Sequence, residues 1–323
     1  MAEPPARSRW RVVLKLAGLA LFIGLFVGRP DIVERVWRGL RATDLRWFGA
    51  AMAIIVATQL VAALRISYLA RINDEQVPLG MLFCDVMVAT GLNAMLLIGA
   101  GMVYRIKRIS DVIGSATRST ALVVLDRGIG FAALLLGGLL AFMVFGTRTM
   151  DFEASPTTVL VGGLVVCVIL AIGLVVFPRK MRSLVAQVRP ILGSVFGPSR
   201  MLVLAGISVL TFAGSVSSVY CLARGLGIEL PFSVFVYATP MVAVATVIPI
   251  SVGGIGVREL GYMFFLGPLG FDESAAISLG VSQYATFVLV AVLGVVLTFL
   301  RARLGPASPG HYDLPATDPA PHS

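Results

Sequence analysis

Polar residues are sparse in this chain, and they are concentrated in a few places. Residues 248–261 read Ile-Pro-Ile-Ser-Val-Gly-Gly-Ile-Gly-Val-Arg-Glu-Leu-Gly, so Pro249, Gly253, Gly254, Gly256, Arg258 and Glu259 interrupt an otherwise apolar stretch. Gly and Pro loosen the helical hydrogen-bond ladder, and backbone freed at membrane depth is tolerated only where protein buries it or a wet cavity receives it. Glycines permit close backbone approach, and a short helix starting near Val257 aims its N-terminal N–H groups at whatever precedes it. The chemistry offered is capture of an anion such as a phosphate by N–H groups and a guanidinium. Glu259, in the first turn, also suits the helix dipole as a cap. Sequence neighbours on a helix point in different directions, so Arg258 and Glu259 each need another partner.

Asp126 and Arg127 form a second constellation, about two turns into the apolar run 120–146. Each charge there costs about 2.5–3.5 kcal/mol at the bilayer centre, and cross-pairing with Arg258 or Glu259 is the expected compensation. Asn93 is expected to bond a helix carbonyl or line the site. Arg105, with Lys107 and Arg108, forms a basic cluster that serves lipid phosphates or topology. Arg65 and Arg71 end an apolar run and are expected to snorkel to the head groups. Gln283 and Tyr284 break the last apolar run. Asn93, Arg105, Asp126, Arg127, Gly253, Gly254, Gly256, Arg258, Glu259 and Gln283 make up the candidate substrate-binding set, with no catalytic residue among them.

The elements that hold these residues must lie in lipid. The chain has 323 residues, 58% of them hydrophobic and 13% charged, and a mean hydropathy of +0.93. Such a composition cannot wrap a core in polar surface, so the expectation is an all-α polytopic membrane protein. The net charge of +9 comes from basic residues in short segments between apolar runs. That pattern fits head groups and topology, and nucleic-acid binding is not expected. Cys84, Cys167 and Cys221 lie far apart in apolar segments and read as packing residues. Both histidines, His311 and His322, fall in the Pro-rich tail, so the membrane body has none for base catalysis or metal ligation. No metal or cofactor is expected.

Six runs, 12–28, 47–64, 120–146, 156–177, 201–223 and 274–300, are long enough or nearly so to cross about 30 Å of hydrocarbon. The first reads as a retained signal anchor, and residues 29–46 as a helix lying on the interface. Residues 79–101 and 233–268 carry Gly or Pro interruptions followed by a basic residue, which predicts two re-entrant or broken helices. If both enter and leave on one side, seventeen Lys and Arg fall on the cytoplasmic side and eight outside, with Arg127 inside a span. That distribution obeys the positive-inside rule. The result is a single membrane domain, 1–303, made of inverted repeats at about 10–146 and 156–303, plus a disordered tail at 304–323. Both termini are then cytoplasmic, in a multi-pass protein of the cell membrane. Inverted repeats of this kind occur in secondary transporters, with substrate bound near the midplane between discontinuous helices.

The run Pro249-Ile-Ser-Val-Gly-Gly-Ile-Gly-Val-Arg-Glu259 resembles the signature of the lysylphosphatidylglycerol synthase transmembrane-region family. Gly91-x-Asn93 through Arg105 and Leu125-Asp126-Arg127 resemble two further elements of that family, and the likeness covers most of residues 10–303. The resemblance implies a flippase-like module that moves phospholipids, hopanoids or polyprenyl-linked lipids between leaflets. Departures are the absence of proline in Leu97-Ile98-Gly99-Ala100-Gly101 and Gln283 at a place where arginine is common. Synthases of that kind append a soluble aminoacyl transferase domain. This chain ends in a short tail, so it is not expected to aminoacylate lipids, and a separately encoded lipid-modifying enzyme is a possible partner. The competing expectation is an accessory subunit or membrane-embedded enzyme of a lipid or glycan pathway that uses Asp126 or Glu259 as acid or base.

Overall fold

The computed structural model of the protein describes residues 30–95, 99–146, 188–189, 191–246 and 254–303. The runs at 12–28 and 156–177 and the tail at 304–323 lie outside the described residues. All regular structure among the described residues is helical. In chain order the helices are α1 (Pro30–Arg41), α2 (Leu45–Arg71), α3 (Leu79–Met95), α4 (Ala100–Ile113), α5 (Ala116–Ala141), α6 (Pro198–Gly225), α7 (Phe232–Ala245), α8 (Val257–Leu266) and α9 (Glu273–Arg303). A π turn at Phe142–Gly146 extends α5.

The helices α2, α5 with its extension, α6 and α9 are long and apolar enough to cross a membrane. They match the runs expected at 47–64, 120–146, 201–223 and 274–300. Their starts are chemically marked. Asp44 accepts a hydrogen bond from the Arg46 N–H (2.8 Å) ahead of α2, and Ser115 caps α5 after Gly114 ends α4 in the left-handed region. Large apolar side chains such as Leu136, Leu140, Leu202, Val209 and Phe299 stand exposed along these helices, where hydrocarbon covers them. The amphipathic α1 buries Val36 against Ile277 and leaves Trp37 exposed, with the Arg41 guanidinium 4.8 Å over its ring. An aromatic ring paired with a cation in this way suits the membrane interface.

With 17 and 14 residues, α3 and α7 reach only about 25 and 21 Å, short of a bilayer core. Each is followed by a helix that doubles back along it. Gly101 at the start of α4 donates its N–H to Asn93 Oδ1 (3.0 Å), and further along Tyr104 and Arg108 reach back to Asp85. A Cβ on Gly101 would fall into the backbone of Ala89, so glycine is what lets the two arms touch. In the second half, Gly254 faces Thr246 and Gly261 faces Val242, which lays α8 back along α7. Gly254 (φ 81°) and Gly256 (φ 87°) make that turn in a region closed to most side chains. Gly99, Gly254 and Gly256 therefore stand at the turns of two helical hairpins, whereas Pro240 lies inside α7 and Pro249 falls outside the described residues.

The halves interlock. α2 crosses α6 where Gly214 meets Thr58, and α3 packs along α9 where Gly91 meets Ala291 and Gly294 meets Met87. In return, α7 packs along α5, where Pro240 fits against Gly138. The apolar cores are shared in the same manner. Ala51 and Ala141 of the first half sit among residues of α6 to α9, while Ile191, Val195 and Leu204 sit among residues of α2 to α5.

Candidate functional site

Most of the candidate residues singled out from the sequence and described in the structure gather in two places, each where a hairpin meets a spanning helix. In the first half the centre is Asp126 on α5, 2% exposed. Its Oδ1 accepts from Arg65 Nε of α2 at 2.8 Å, and its Oδ2 accepts from Arg105 Nη2 of α4 at 2.9 Å. Both arginines are buried, and Arg65 lies against Gly130, where any larger residue would displace the guanidinium. One carboxylate thus ties a spanning helix, a hairpin arm and α5 together through two charge-assisted bonds. Arg127 is exposed and lies near enough to Arg105, Asp126 and Arg65 to feel their charge.

This arrangement corrects three expectations. Asp126 pairs within its own half and not with Arg258 or Glu259, because Arg65 and Arg105 already occupy both of its oxygens. Arg65 does not snorkel; it turns inward, where a desolvated carboxylate holds it better than water at the edge. Arg105 does not join Lys107 at the head groups, since it lies one face round on α4 and is buried while Lys107 is exposed. Asn93 turns its side-chain oxygen to accept from the Gly101 N–H across the hairpin turn.

The second cluster lies where α8 meets α9. Glu259 caps its own helix, its Oε2 accepting from the Gly256 N–H at 2.6 Å, and its stem packs against Gly280. Tyr262, fully buried, donates its hydroxyl to Gln283 Oε1 at 3.0 Å. Arg258 is 6% exposed, and its guanidinium lies 5.1 Å from the centre of the Phe287 ring. Arg258 Nη1 is buried with no hydrogen-bond partner among the described residues. Such a donor in apolar surroundings costs free energy unless an acceptor arrives. Gly254, buried, lies beside the same guanidinium, so backbone as well as side chain borders the place. Gly253 falls outside the described residues.

The two clusters are built to one pattern. Arg105 bonds Asp126 and Tyr262 bonds Gln283, in each case joining the second arm of a hairpin to the spanning helix after it across 21 positions. Sequence reasoning missed Asp85, Arg65 and Tyr262 as members of polar clusters. Asp85 alone carried a readable signal, an acid set in the apolar run of α3.

Long apolar helices, two helical hairpins of shorter ones and charged residues buried where these meet mark a multi-pass membrane protein. The chain matches the Lysylphosphatidylglycerol synthase TM region family over residues 12–299, and it belongs to that family. No curated protein matches it.

Proposed function

We propose that this protein is a lipid transporter of the cell membrane that carries an anionic lipid between leaflets. The observation that carries the proposal is the buried Arg258 Nη1, which has no hydrogen-bond partner among the described residues and is held over Phe287 beside the Gly254 backbone. A phosphate oxygen supplies the missing acceptor, and the lipid tails stay in the hydrocarbon. The reading treats residues 10–146 and 156–303 as inverted repeats, with both termini cytoplasmic and the hairpins re-entrant. The reciprocal packing of α3 on α9 and α7 on α5 supports it, as do the bridges of equal spacing. Alternating access then arises from rocking of one half against the other around the bound head group. Membership of a lipid-associated family agrees with this reading. An enzymatic role for Asp126 or Glu259 is disfavoured, because hydrogen bonds within the fold already engage both carboxylates.

The test is leaflet exchange of fluorescent phosphatidylglycerol in proteoliposomes, read by chemical quenching of the outer leaflet. Wild-type protein is expected to exchange the lipid. Arg258→Gln loses one charge-assisted contact of about 1.5–3 kcal/mol, so exchange falls roughly 10- to 150-fold. Absence of exchange with any anionic lipid, or an unchanged rate in a folded Arg258→Gln protein, refutes the proposal.

A further inference from the structure

The first hairpin holds a buried acid that the lipid site does not use. Asp85 of α3 is 1% exposed, and both of its hydrogen bonds fall on one oxygen: Oδ1 accepts from the Tyr104 hydroxyl (3.1 Å) and from Arg108 Nε (3.2 Å). Oδ2 is buried and has no partner among the described residues. The other two buried acids among the described residues behave differently. Asp126 has both oxygens bound by arginine, and Glu259 is fixed to the backbone of its own helix. Asp85 also has the more releasable cation, since the Arg108 side chain is 38% exposed whereas Arg65 and Arg105 are enclosed.

The geometry points to Asp85 as a proton-binding site that latches the two arms of the first hairpin. The neighbours that set its charge balance are Arg108, Tyr104 and Arg105 on α4, with Asp111 acting on Arg108 from one turn away. From α9, Arg301 lies against Gly80 towards the start of α3, and α2 turns Gln59 to Thr90 and Arg65 to Asp126. A proton taken from water adds to the bare Oδ2 and leaves a neutral carboxylic acid, with no change in electron count. Arg108 keeps its charge, loses its counter-ion and moves to water or head groups, while Tyr104 keeps its hydrogen bond. The ion pair joining α3 to α4 is then gone, and the hairpin is freer to open. Coupling of this step to lipid movement rests on the transport reading above; the protonation itself does not.

Infrared difference spectra of the full-length protein in lipid nanodiscs, taken between neutral and acid pH, test the site directly. Wild type is expected to show a protonated-carboxyl band with a single midpoint, absent from Asp85→Asn. In Arg108→Gln, loss of the neighbouring cation makes the carboxyl hold its proton more tightly, so the midpoint moves up by about 1–3 pH units. Failure of the band to appear, its persistence in Asp85→Asn, or a midpoint unmoved or lowered in Arg108→Gln overturns the assignment. If Asp85→Asn does not fold, Arg108→Gln decides the matter, because its side chain is partly exposed. Coupling is read separately, in phosphatidylglycerol vesicles with an imposed pH gradient. The gradient is expected to change labelled-lipid exchange about tenfold in wild type and not in Asp85→Asn. Wild-type exchange that ignores the gradient overturns coupling alone, and absence of any exchange overturns the transport reading alone.

Discussion

Asp126→Asn is expected to be among the most damaging single substitutions in this fold. The carboxylate binds Arg65 at 2.8 Å and Arg105 at 2.9 Å, and the three residues are 6%, 2% and 2% exposed in the order Arg65, Arg105, Asp126. An asparagine keeps one acceptor but turns an N–H₂ donor towards the other guanidinium, leaving a buried cation without compensation. Removing one partner of a buried pair costs about 3–5 kcal/mol, which shifts the folding equilibrium by more than about a hundredfold. The assay is denaturant unfolding in mixed micelles, followed by circular dichroism. Double-mutant cycles then identify the partner. Asp126→Asn with Arg65→Met should show coupling of about 0.5–3 kcal/mol, whereas Asp126→Asn with Arg258→Met should add to within about 0.5 kcal/mol. Wild-type stability in Asp126→Asn, or stronger coupling to Arg258 than to Arg65, refutes the account.

Two further substitutions test how the hairpins are seated. At Gly91 a new Cβ would overlap the Cβ of Ala291, so Gly91→Ala should destabilise by about 1–3 kcal/mol through overpacking, and Ala291→Gly should restore part of the loss in the same unfolding assay. Glu259→Ala leaves the buried Gly256 N–H bare and should cost about 1–3 kcal/mol, while Glu259→Gln, which retains an acceptor, should cost less; equal losses in the two would show that the cap is not what Glu259 supplies.

The sequence made the broad architecture plain because lipid imposes few solutions on a chain. Runs long enough to cross hydrocarbon stand out by length, and Gly91, Gly101, Gly254 and Gly256 mark the places where backbones touch or turn. Partner choice was harder to read. Arg65 and Arg105 sit at positions that look like the edges of apolar segments, and nothing local shows that one acid 61 positions from Arg65 and 21 from Arg105 gathers both. Buried ion pairs are long-range contacts, settled by which helices pack together. The same applies to Tyr262, whose meeting with Gln283 depends on α8 lying against α9. That Arg258 would lie in a buried setting was easier to read, because its surroundings are odd in the local sequence.

The paired bridges across 21 positions also make the molecule mechanically lopsided. One hairpin is strapped to its spanning helix by an arginine and a carboxylate, the other by a phenol and an amide. A hydrogen bond to charged groups is worth about 1.5–3 kcal/mol and a neutral one about 0.5–1.5, so the second strap yields to a smaller thermal push. Two similar frames with unequal fastenings do not flex symmetrically. The bridge to the second hairpin, which carries Arg258, is therefore expected to part at a lower cost than the bridge to the first.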